Sequence, residues 1–273
     1  MGQLLGCCMP VNFSLSKKEF KHLKNCYLLL SIIFCFTVNA QTHTVSVTVP
    51  QSYETESSKN YPVIYLLDGT QNQNMLNGML QRLHLSEGSH EHIIVSIDVE
   101  DRLNDFAPTV NMDPRGPVGK GGGGDQFLDF LEQELMPRIN KNYRTNEFNT
   151  IVGHSVAGLL VIHSFHSRPE LFQSHLAFSP AIWWGARETA KSAKNYVLSN
   201  GGGDNYLYMN IGSENGEMKS VYNSFATTIM KNRSIDLKLT LNEFDDVSHD
   251  FTMAAGLYNA LSGLYQYQRS KGI

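Results

Sequence analysis

An apolar strand, a sharp turn and an apolar helix follow one another in Thr150-Ile-Val-Gly153-His154-Ser155-Val156-Ala157-Gly158-Leu-Leu-Val-Ile162. A single serine, Ser155, lies on the turn, which is the arrangement of a nucleophile elbow. Such a turn holds the serine hydroxyl clear of its neighbours, and the helix that follows points its first N–H groups at negative charge developing there. The second glycine of the usual pattern is replaced by Ala157, the smallest change that a crowded turn could accept. The stretch predicts a nucleophilic serine between a strand and a helix.

The composition is that of an ordinary globular protein. The chain has 273 residues, of which 41% are hydrophobic and 18% are charged. That length is enough for one large α/β domain with a substantial core. Glycine-rich breaks occur at 121–124 and 201–203, but no repeat or second domain is indicated. We therefore expect a single domain over residues 41–273.

Residues 1–40 differ in kind from the rest of the chain. Four lysines between positions 17 and 24 precede an apolar run over 27–38, and small residues lead up to Ala40. This pattern predicts a secretory signal peptide that is removed after Ala40. A run of about a dozen apolar residues is too short for a membrane-spanning helix, which needs roughly 20. We expect a secreted or periplasmic protein without a stable membrane anchor.

The cysteines and the charge narrow the possible functions. All four cysteines lie within the predicted signal peptide, at positions 7, 8, 26 and 35. The mature chain would then lack cysteine nucleophiles and thiolate metal sites. Loss of four lysines and one glutamate with that segment moves the formal charge from −4 to −7. A mildly acidic surface argues against nucleic acid as a partner.

Strand-like and helix-like patterns alternate along residues 41–273. Continuous apolar runs, which are typical of parallel strands buried on both faces, occur at 63–67, 93–97 and 148–152. Further strands are predicted at 174–178, 206–211 and 236–244, and the alternation of Val45, Val47 and Val49 predicts an outer strand. Helices are predicted at 74–85, 125–140, 157–166, 187–198, 219–231 and 251–268. This order predicts a mostly parallel sheet with helices on both faces.

A serine nucleophile needs a base, and His249 is the candidate. Proteins with this type of elbow place their residues in the order serine, acid, histidine. Of the ten histidines, only His249 lies after the last predicted strand and before the last helix. That loop follows the carboxyl end of a strand, where such sheets gather their reactive groups. His154 neighbours Ser155 at a turn, so we expect it to pack or hydrogen-bond near the elbow, at the edge of the substrate site.

The acid is expected after the strand at 206–211, where two carboxylates follow. Glu214 comes first after the turn and is our choice, and Glu217 is the alternative. Glu217 could instead serve in the first turn of the next helix, where its charge stabilises the helix dipole. Asp245 and Asp246 are too close in sequence to His249 to reach its far nitrogen easily. A dyad without an acid stays open.

An ester carbonyl becomes an oxyanion in the tetrahedral intermediate, so two backbone donors must converge on it. The Val156 N–H, directly after the nucleophile, is one candidate. The other is expected from the turn after the strand at 63–67, where Gly69 allows close approach and Thr70 supplies the donor. An Asp-Gly pair is also a good turn with no catalytic role. The chemistry predicted so far needs neither metal nor cofactor.

Several segments in order resemble the putative esterase family. They are Tyr61-Pro-Val-Ile-Tyr-Leu-Leu-Asp68-Gly69, Asp101-Arg102-Leu-Asn-Asp105-Phe106-Ala-Pro108, Phe127-Leu-Asp-Phe-Leu-Glu-Gln-Glu-Leu-Met-Pro137, Asn142-Tyr143-Arg144-Thr145, Gly153-His-Ser-Val-Ala-Gly158 and Ser179-Pro-Ala-Ile-Trp183-Trp184. The family is a group of α/β-hydrolases that includes esterase D, feruloyl esterases, mycolyltransferases and ferric-siderophore esterases. The likeness spans about residues 42–267, and the siderophore-esterase branch is the most similar.

The resemblance implies an α/β-hydrolase fold and a serine mechanism. It implies that Ser155 is the nucleophile, His249 the base, and Val156 with the loop at Gly69 and Thr70 the oxyanion hole. The chain departs from the family pattern at Ala157, where glycine is usual, and at Ala107, where threonine is common. The first departure bears on the turn, and the second on loop packing.

Aromatic and charged residues near the predicted site have open roles. Trp183 and Trp184 follow a strand end and could line an acyl or aryl pocket, although a core position for one of them is an equal alternative. Arg102 is expected to form an ion pair with Asp105 or another carboxylate, or to contact substrate. The long segment between Val99 and Gly124 lacks clear periodicity, so a functional or mobile loop is expected there.

Together these features predict a secreted serine esterase that acts through an acyl-enzyme on a small-molecule ester. Little sequence is left over for a cap domain, so we expect an open cleft that accepts bulky esters. Two alternatives remain: acyl transfer to an alcohol or sugar by the same machinery, and a hydrolase-fold binding module that has lost activity.

Overall fold

The apolar runs of the sequence form one eight-stranded sheet in the computed structural model, which describes residues 32–38, 41–114 and 116–273. The strands are β1 Ile32–Val38, β2 Gln41–Thr48, β3 Tyr61–Leu67, β4 Ile93–Val99, β5 Thr145–His154, β6 Ser174–Phe178, β7 Tyr206–Ile211 and β8 Lys238–Glu243. Their order across the sheet is β1-β2-β4-β3-β5-β6-β7-β8. Within the described sheet, the pairs β1–β2 and β2–β4 are antiparallel, and the other five neighbouring pairs are parallel. The predicted mostly parallel sheet is confirmed.

Helices connect the parallel strands. They are α1 Gly69–His84, α2 Arg102–Phe106, α3 Gly124–Phe130, α4 Met136–Asn142, α5 Val156–Ser167, α6 Trp184–Asn200, α7 Gly216–Asn232 and α8 Thr252–Ser270. A π-helical turn, Leu131–Leu135, joins α3 to α4, so the single helix predicted at 125–140 contains a local widening. Short 3₁₀ turns cover Gln51–Glu54 and His249–Phe251.

The sheet separates two hydrophobic cores, because side chains alternate between its faces. Along β3, Tyr65 and Leu67 pack with the layer of α3 to α7. Ile64 and Leu66, in contrast, pack with α1 and α8. All of these β3 side chains are fully buried. Helices therefore cover both faces, and the carboxyl ends of β3, β5, β6, β7 and β8 are held side by side at one edge.

The antiparallel end of the sheet bears on two predictions. The strand predicted around Val45 is second from the edge, because Ile32–Val38 pairs with it in the register Ile32 to Val47. Residues 1–31 and 39–40 of the predicted signal peptide lie outside the described residues. Removal of the signal peptide stays a prediction.

The long segment between β4 and α3 begins with helix α2 and continues as a loop over 107–114 and 116–123. Its glycines tie the loop back on itself, since the Gly122 N–H donates to the Ala107 carbonyl (2.8 Å) and the Gly123 N–H to the Asn104 carbonyl (2.9 Å). Helix α1 begins five residues before its predicted start of 74. The polar residues of its first turn give no apolar periodicity that would reveal it.

Candidate active site

Ser155 lies between β5 and α5 with left-handed backbone angles, φ 59° and ψ −116°. Its N–H donates to the Phe178 carbonyl on β6 (2.9 Å), and its own carbonyl accepts from the Ala181 N–H (3.0 Å). A Cβ at Gly153 would lie 2.6 Å from the backbone of Ala157, so only glycine fits before the turn. The predicted elbow is therefore present, and hydrogen bonds to the neighbouring strand and its following loop hold it.

Ala157, the departure from the usual pattern, is a fully buried residue in the first turn of α5. An ordinary helical position does not require glycine's backbone freedom. The alanine therefore fits the turn without altering the direction in which α5 leaves it.

Ser155, His249 and Glu214 form a chain of hydrogen bonds. The Nε2 of His249 is 2.9 Å from the Ser155 hydroxyl oxygen. On the other side of the ring, Nδ1 is 2.7 Å from Oε1 of Glu214. The three residues directly follow or lie beyond β5, β8 and β7, so parallel strands of one sheet deliver them to one point. This is the geometry in which a histidine can take a proton from serine while a carboxylate orients it.

The Glu214 carboxylate is set up to keep its charge. Its side chain is only 8% exposed, and burial by itself would raise the pKa. Hydrogen bonds from Ser179 and His249 outweigh that effect and hold the pKa of Glu214 below its ordinary value. Its second oxygen, Oε2, accepts the Gly212 N–H at 2.6 Å. The carboxylate is thus held ionised opposite the imidazole.

Glu217, the alternative acid, faces elsewhere. Its Oε1 accepts a hydrogen bond from Nε of Arg187 on α6 (2.7 Å). It lies in the first turn of α7, where a negative charge is favourable. The structure thus brings Glu214 and not Glu217 to His249.

Ser179 was not among the predicted site residues. It is fully buried and follows β6 directly. Its hydroxyl donates to Oε1 of Glu214 and lies 3.2 Å from Nδ1 of His249. The sequence held one indication, since Ser179 stands at the carboxyl end of a strand beside the elbow, where polar residues of such sheets converge.

His154 contacts the loop that carries the predicted base. Its Nε2 is 2.8 Å from the His249 carbonyl, and the two rings lie 4.6 Å apart. Burial, together with the nearby charge of His249, lowers the pKa of His154. A neutral ring can donate from Nε2 to that carbonyl, so His154 hydrogen-bonds beside the elbow as expected, towards His249.

The turn after β3 carries the predicted second part of the oxyanion hole. Gly69 packs so tightly that an added Cβ would lie 2.5 Å from the Cβ of Ser96. The Thr70 N–H, however, donates to both carboxylate oxygens of Asp98 at 3.1 and 3.0 Å. The prediction of Thr70 as the free donor is therefore corrected. The first turn of a helix offers unpaired N–H groups, and Asp98 on β4 takes this one.

Arg102 connects the two backbone segments around the site. It makes a forked ion pair with Asp68, in which Nε and Nη2 each lie 2.8 Å from a carboxylate oxygen. Its Nη2 also donates to the His154 carbonyl at 3.0 Å. The expected partner Asp105 instead lies 3.3 Å from Nε2 of His43. The sequence predicts that Arg102 pairs with Asp105 or another carboxylate, and that other carboxylate is Asp68.

The two tryptophans have different environments. Trp184 is 2% exposed, and its indole N–H donates to the Thr109 carbonyl at 2.7 Å. It is therefore a core residue, which corrects its assignment to the substrate site. Trp183 is half-buried against the loop at Gly116, where an added Cβ would lie 3.2 Å from its ring. Of the two tryptophans, Trp183 alone keeps a partly accessible surface.

Neither a metal cluster nor a membrane span is found in the part of the chain that the structure describes. There, no three His, Cys, Asp or Glu side chains are arranged to hold a metal ion. The helices within the same residues include none that is both long and apolar enough to cross a bilayer.

Comparisons with known proteins agree with this geometry. A family model described as putative esterase matches residues 38–260. A triacetylfusarinine C siderophore esterase of Aspergillus fumigatus is 32% identical over 150 residues, covering 50% of this chain and 49% of the relative. The ferri-bacillibactin esterase BesA of Bacillus subtilis is 32% identical over 157 residues, covering 50% of this chain and 53% of the relative. The chain thus spans about half the length of these two relatives.

The fold agrees as well. An IroE-like serine hydrolase from Shewanella oneidensis has a crystal structure that superposes with a TM-score of 0.80 and 26% identity. The match covers 86% of this chain and 80% of the other. The predicted α/β-hydrolase fold is confirmed.

Proposed function

The chain belongs to the putative esterase family, and from that membership we propose that it is a serine carboxylic-ester hydrolase that acts through an acyl-enzyme on Ser155. The observation that carries the proposal is the hydrogen-bond chain of Ser155 to His249 (2.9 Å) and of His249 to Glu214 (2.7 Å). A serine hydrogen-bonded to a histidine base, with a carboxylate that orients the base on its far side, is the arrangement of covalent ester hydrolysis.

The first half of the reaction forms the acyl-enzyme. The Ser155 oxygen attacks the ester carbonyl carbon while its proton passes to Nε2 of His249. The charge that develops on the imidazole is balanced by the Glu214 carboxylate, which accepts a hydrogen bond from the Nδ1–H. When the tetrahedral intermediate collapses, the carbon–oxygen bond of the ester breaks, and the alcohol leaves with the proton from Nε2.

The oxyanion is stabilised by backbone donors in this proposal. The Val156 N–H lies at the start of α5, where the helix dipole also favours negative charge. Because Thr70 is engaged with Asp98, we assign the second donor to the Gly69 N–H at the start of α1.

The second half releases the acid. Water attacks the acyl carbon, and His249 takes one of its protons at Nε2. The ester bond to Ser155 then breaks, and that proton returns to the serine oxygen. The atoms balance as one ester and one water giving one acid and one alcohol.

For the substrate class we propose ester bonds of a siderophore. The support is that the two relatives described above are a triacetylfusarinine C esterase and a ferri-bacillibactin esterase. Trp183 is the residue placed to contact an apolar or aromatic part of such a ligand. We also propose that the protein is exported, on the support of the signal-peptide pattern in residues 1–40.

The test is hydrolysis of short p-nitrophenyl esters, ferric triacetylfusarinine C and ferric bacillibactin by the wild type and by Ser155→Ala. We expect the substitution to lower kcat by more than about 10,000-fold, because the covalent route is lost. An unchanged thermal unfolding midpoint would show that the variant is folded. Equal rates for the two proteins would contradict the esterase proposal. Hydrolysis of p-nitrophenyl esters alone would keep the serine mechanism and refute the siderophore substrate.

A further inference from the structure

The contact between Glu214 and His249 includes a third side chain, Ser179. The Ser179 hydroxyl donates to Oε1 of Glu214, and its oxygen is 3.2 Å from the His249 Nδ1. The Nδ1 hydrogen is itself shared with Oε1 of Glu214 at 2.7 Å. The three groups form a closed triangle in which each is hydrogen-bonded to the other two.

The backbone conformation of Ser179 and its hydrogen bonds to Asn210 hold it in this place. Ser179 has a φ of 41°, a left-handed value that is strained for a residue with a Cβ. Its N–H donates to the side-chain oxygen of Asn210 at 3.0 Å and to the Asn210 carbonyl at 3.1 Å. Strain at such a residue persists only where the surroundings enforce it, and it concentrates at functional sites.

Asn210 also connects Ser179 to the segment that carries His249. This fully buried amide donates from Nδ2 to the Thr252 carbonyl at 2.7 Å. The Thr252 hydroxyl in turn donates to the His249 carbonyl at 2.9 Å. Ser179 is therefore connected to His249 in two ways, through its own hydroxyl and through the hydrogen bonds of Asn210 and Thr252.

We propose that Ser179 is a positioning residue that holds the Glu214 carboxylate in line with the His249 ring. The inference rests on the proposed esterase function, since it assigns Ser179 a role in the same site. The hydroxyl occupies one lone pair of Oε1 and leaves the other for the Nδ1 hydrogen. In this way it fixes the rotation of the carboxylate, while the Gly212 N–H fixes the second oxygen.

The charged surroundings of the pair do not replace this donor. His154 lies ring to ring with His249, and Arg102 and Asp68 are engaged with each other behind it. Lys219 on α7 contacts the Gly212 carbonyl and pairs with Glu243 and Asp245. Tyr222, also on α7, is close enough to Glu214 to feel its charge. Within the described residues, His249 and Ser179 hydrogen-bond the Glu214 carboxylate, and His154, Arg102, Asp68, Lys219 and Tyr222 do not.

The first experiment compares Ser179→Ala with Ser174→Ala. Ser174 is the matched control, because this first residue of β6 is as buried as Ser179, which follows the same strand, but its hydroxyl has no hydrogen-bond partner among the described residues. We expect Ser179→Ala to lower kcat roughly 10-fold with KM nearly unchanged. Ser174→Ala should change neither.

A double-mutant cycle tests whether Ser179 acts through Glu214. In a Glu214→Gln background we expect Ser179→Ala to cost less than about 2-fold, because the carboxylate is already gone. The same 10-fold loss in both backgrounds would overturn the proposal. Ser179→Gly also removes the hydroxyl, and glycine adopts the positive φ of this position without strain. The proposal therefore requires that this variant show the same loss of kcat as Ser179→Ala.

A readout without any ester separates this inference from the proposed function. The His249 Nδ1 proton, hydrogen-bonded to a carboxylate, is expected as a far-downfield proton NMR resonance. It should shift or broaden in Ser179→Ala and stay unchanged in Ser174→Ala. If the wild type shows no Ser155-dependent hydrolysis but the resonance responds, the esterase proposal fails and the positioning role stands. A resonance that does not respond refutes the positioning role.

Discussion

At the scale of single residues, Glu214 and Glu217 differ in the side chains that contact each carboxylate. Glu214 faces His249 and Ser179, whereas Glu217 is paired with Arg187. We expect Glu214→Gln to lower kcat about 1,000-fold, because the amide no longer balances an imidazolium charge. The change is read from the hydrolysis rate at saturating ester.

Glu217→Gln is the matched control for Glu214→Gln. The Arg187 partner is half-exposed, so loss of this pair should cost at most about 1 kcal/mol of stability and leave kcat within about 2-fold. Comparable rates for the two glutamine variants would mean that Glu214 does not act on His249.

The residue scale also shows what the sequence could and could not predict about the site. Ser155 and His249 were predictable, because Ser155 directly follows a strand and His249 lies in the loop after the last strand, in the order that the chemistry requires. Glu214 and Glu217 are three residues apart, one before the start of α7 and one in its first turn, and sequence spacing carries no information about which of them turns inward. The hydrogen bond of Thr70 could not be predicted either, because its partner Asp98 lies on β4, far away in sequence.

At the scale of elements, Arg102 links the turn before α1 to the turn before α5. It does so through Asp68 and the His154 carbonyl, so it fixes the distance between the two proposed oxyanion donors. We expect Arg102→Gln to lower kcat roughly 10-fold with a smaller effect on KM, because charge stabilisation in the transition state depends on donor placement. Steady-state kinetics on a p-nitrophenyl ester measure both constants.

Arg168→Gln is the control for Arg102→Gln. Arg168 also makes two ion-paired contacts, with Asp129 and Glu132, but on helices remote from the elbow. Its loss should lower the unfolding midpoint without changing kcat. If the two arginine variants behave alike, Arg102 contributes to stability alone.

Strands and helices with a clear apolar pattern could be predicted from the sequence, and local departures from regular structure could not. The buried strands and α5 were located within a few residues, since most of their central positions are apolar. The π turn at Leu131–Leu135 and the left-handed residues Gly185, Ala186 and Arg187 were not. These local departures are imposed by contacts distant in sequence, such as that of Gly185 with the Thr109 side chain.

At the scale of the whole molecule, buried histidines make stability depend on pH. Burial lowers the pKa of His175 to about 3 and that of His92 to about 4. At His166, burial and then the charge of His163 lower the pKa to about 4. In the unfolded chain the same rings take up protons near about 6.5. Between those values the unfolded state binds more protons, so stability is complete above about 6.5 and falls as the pH drops towards 4.

The corresponding prediction concerns His175, a fully buried residue of β6. In His175→Leu, the free energy of unfolding, measured by denaturant titration from pH 7 to pH 4, should fall less steeply than in the wild type. The two slopes should differ by at most about 1.4 kcal/mol per pH unit. His84→Gln, at an exposed position, should leave the slope unchanged. Identical slopes for His175→Leu and the wild type would show that this ring does not determine the acid sensitivity.

The left-handed backbone at three strand ends has a consequence for how the protein can be improved. Asp68, Ser155 and Ser179 each directly follow a strand and have φ values of 55°, 59° and 41°. Glycine would adopt those angles without strain, so wherever this relief outweighs the lost side-chain contacts, replacement makes the protein more resistant to heat. The same replacements remove the groups on which the proposed chemistry depends. A screen for thermal resistance alone would therefore favour inactive variants at these positions, and selection for heat resistance must be paired with selection for turnover.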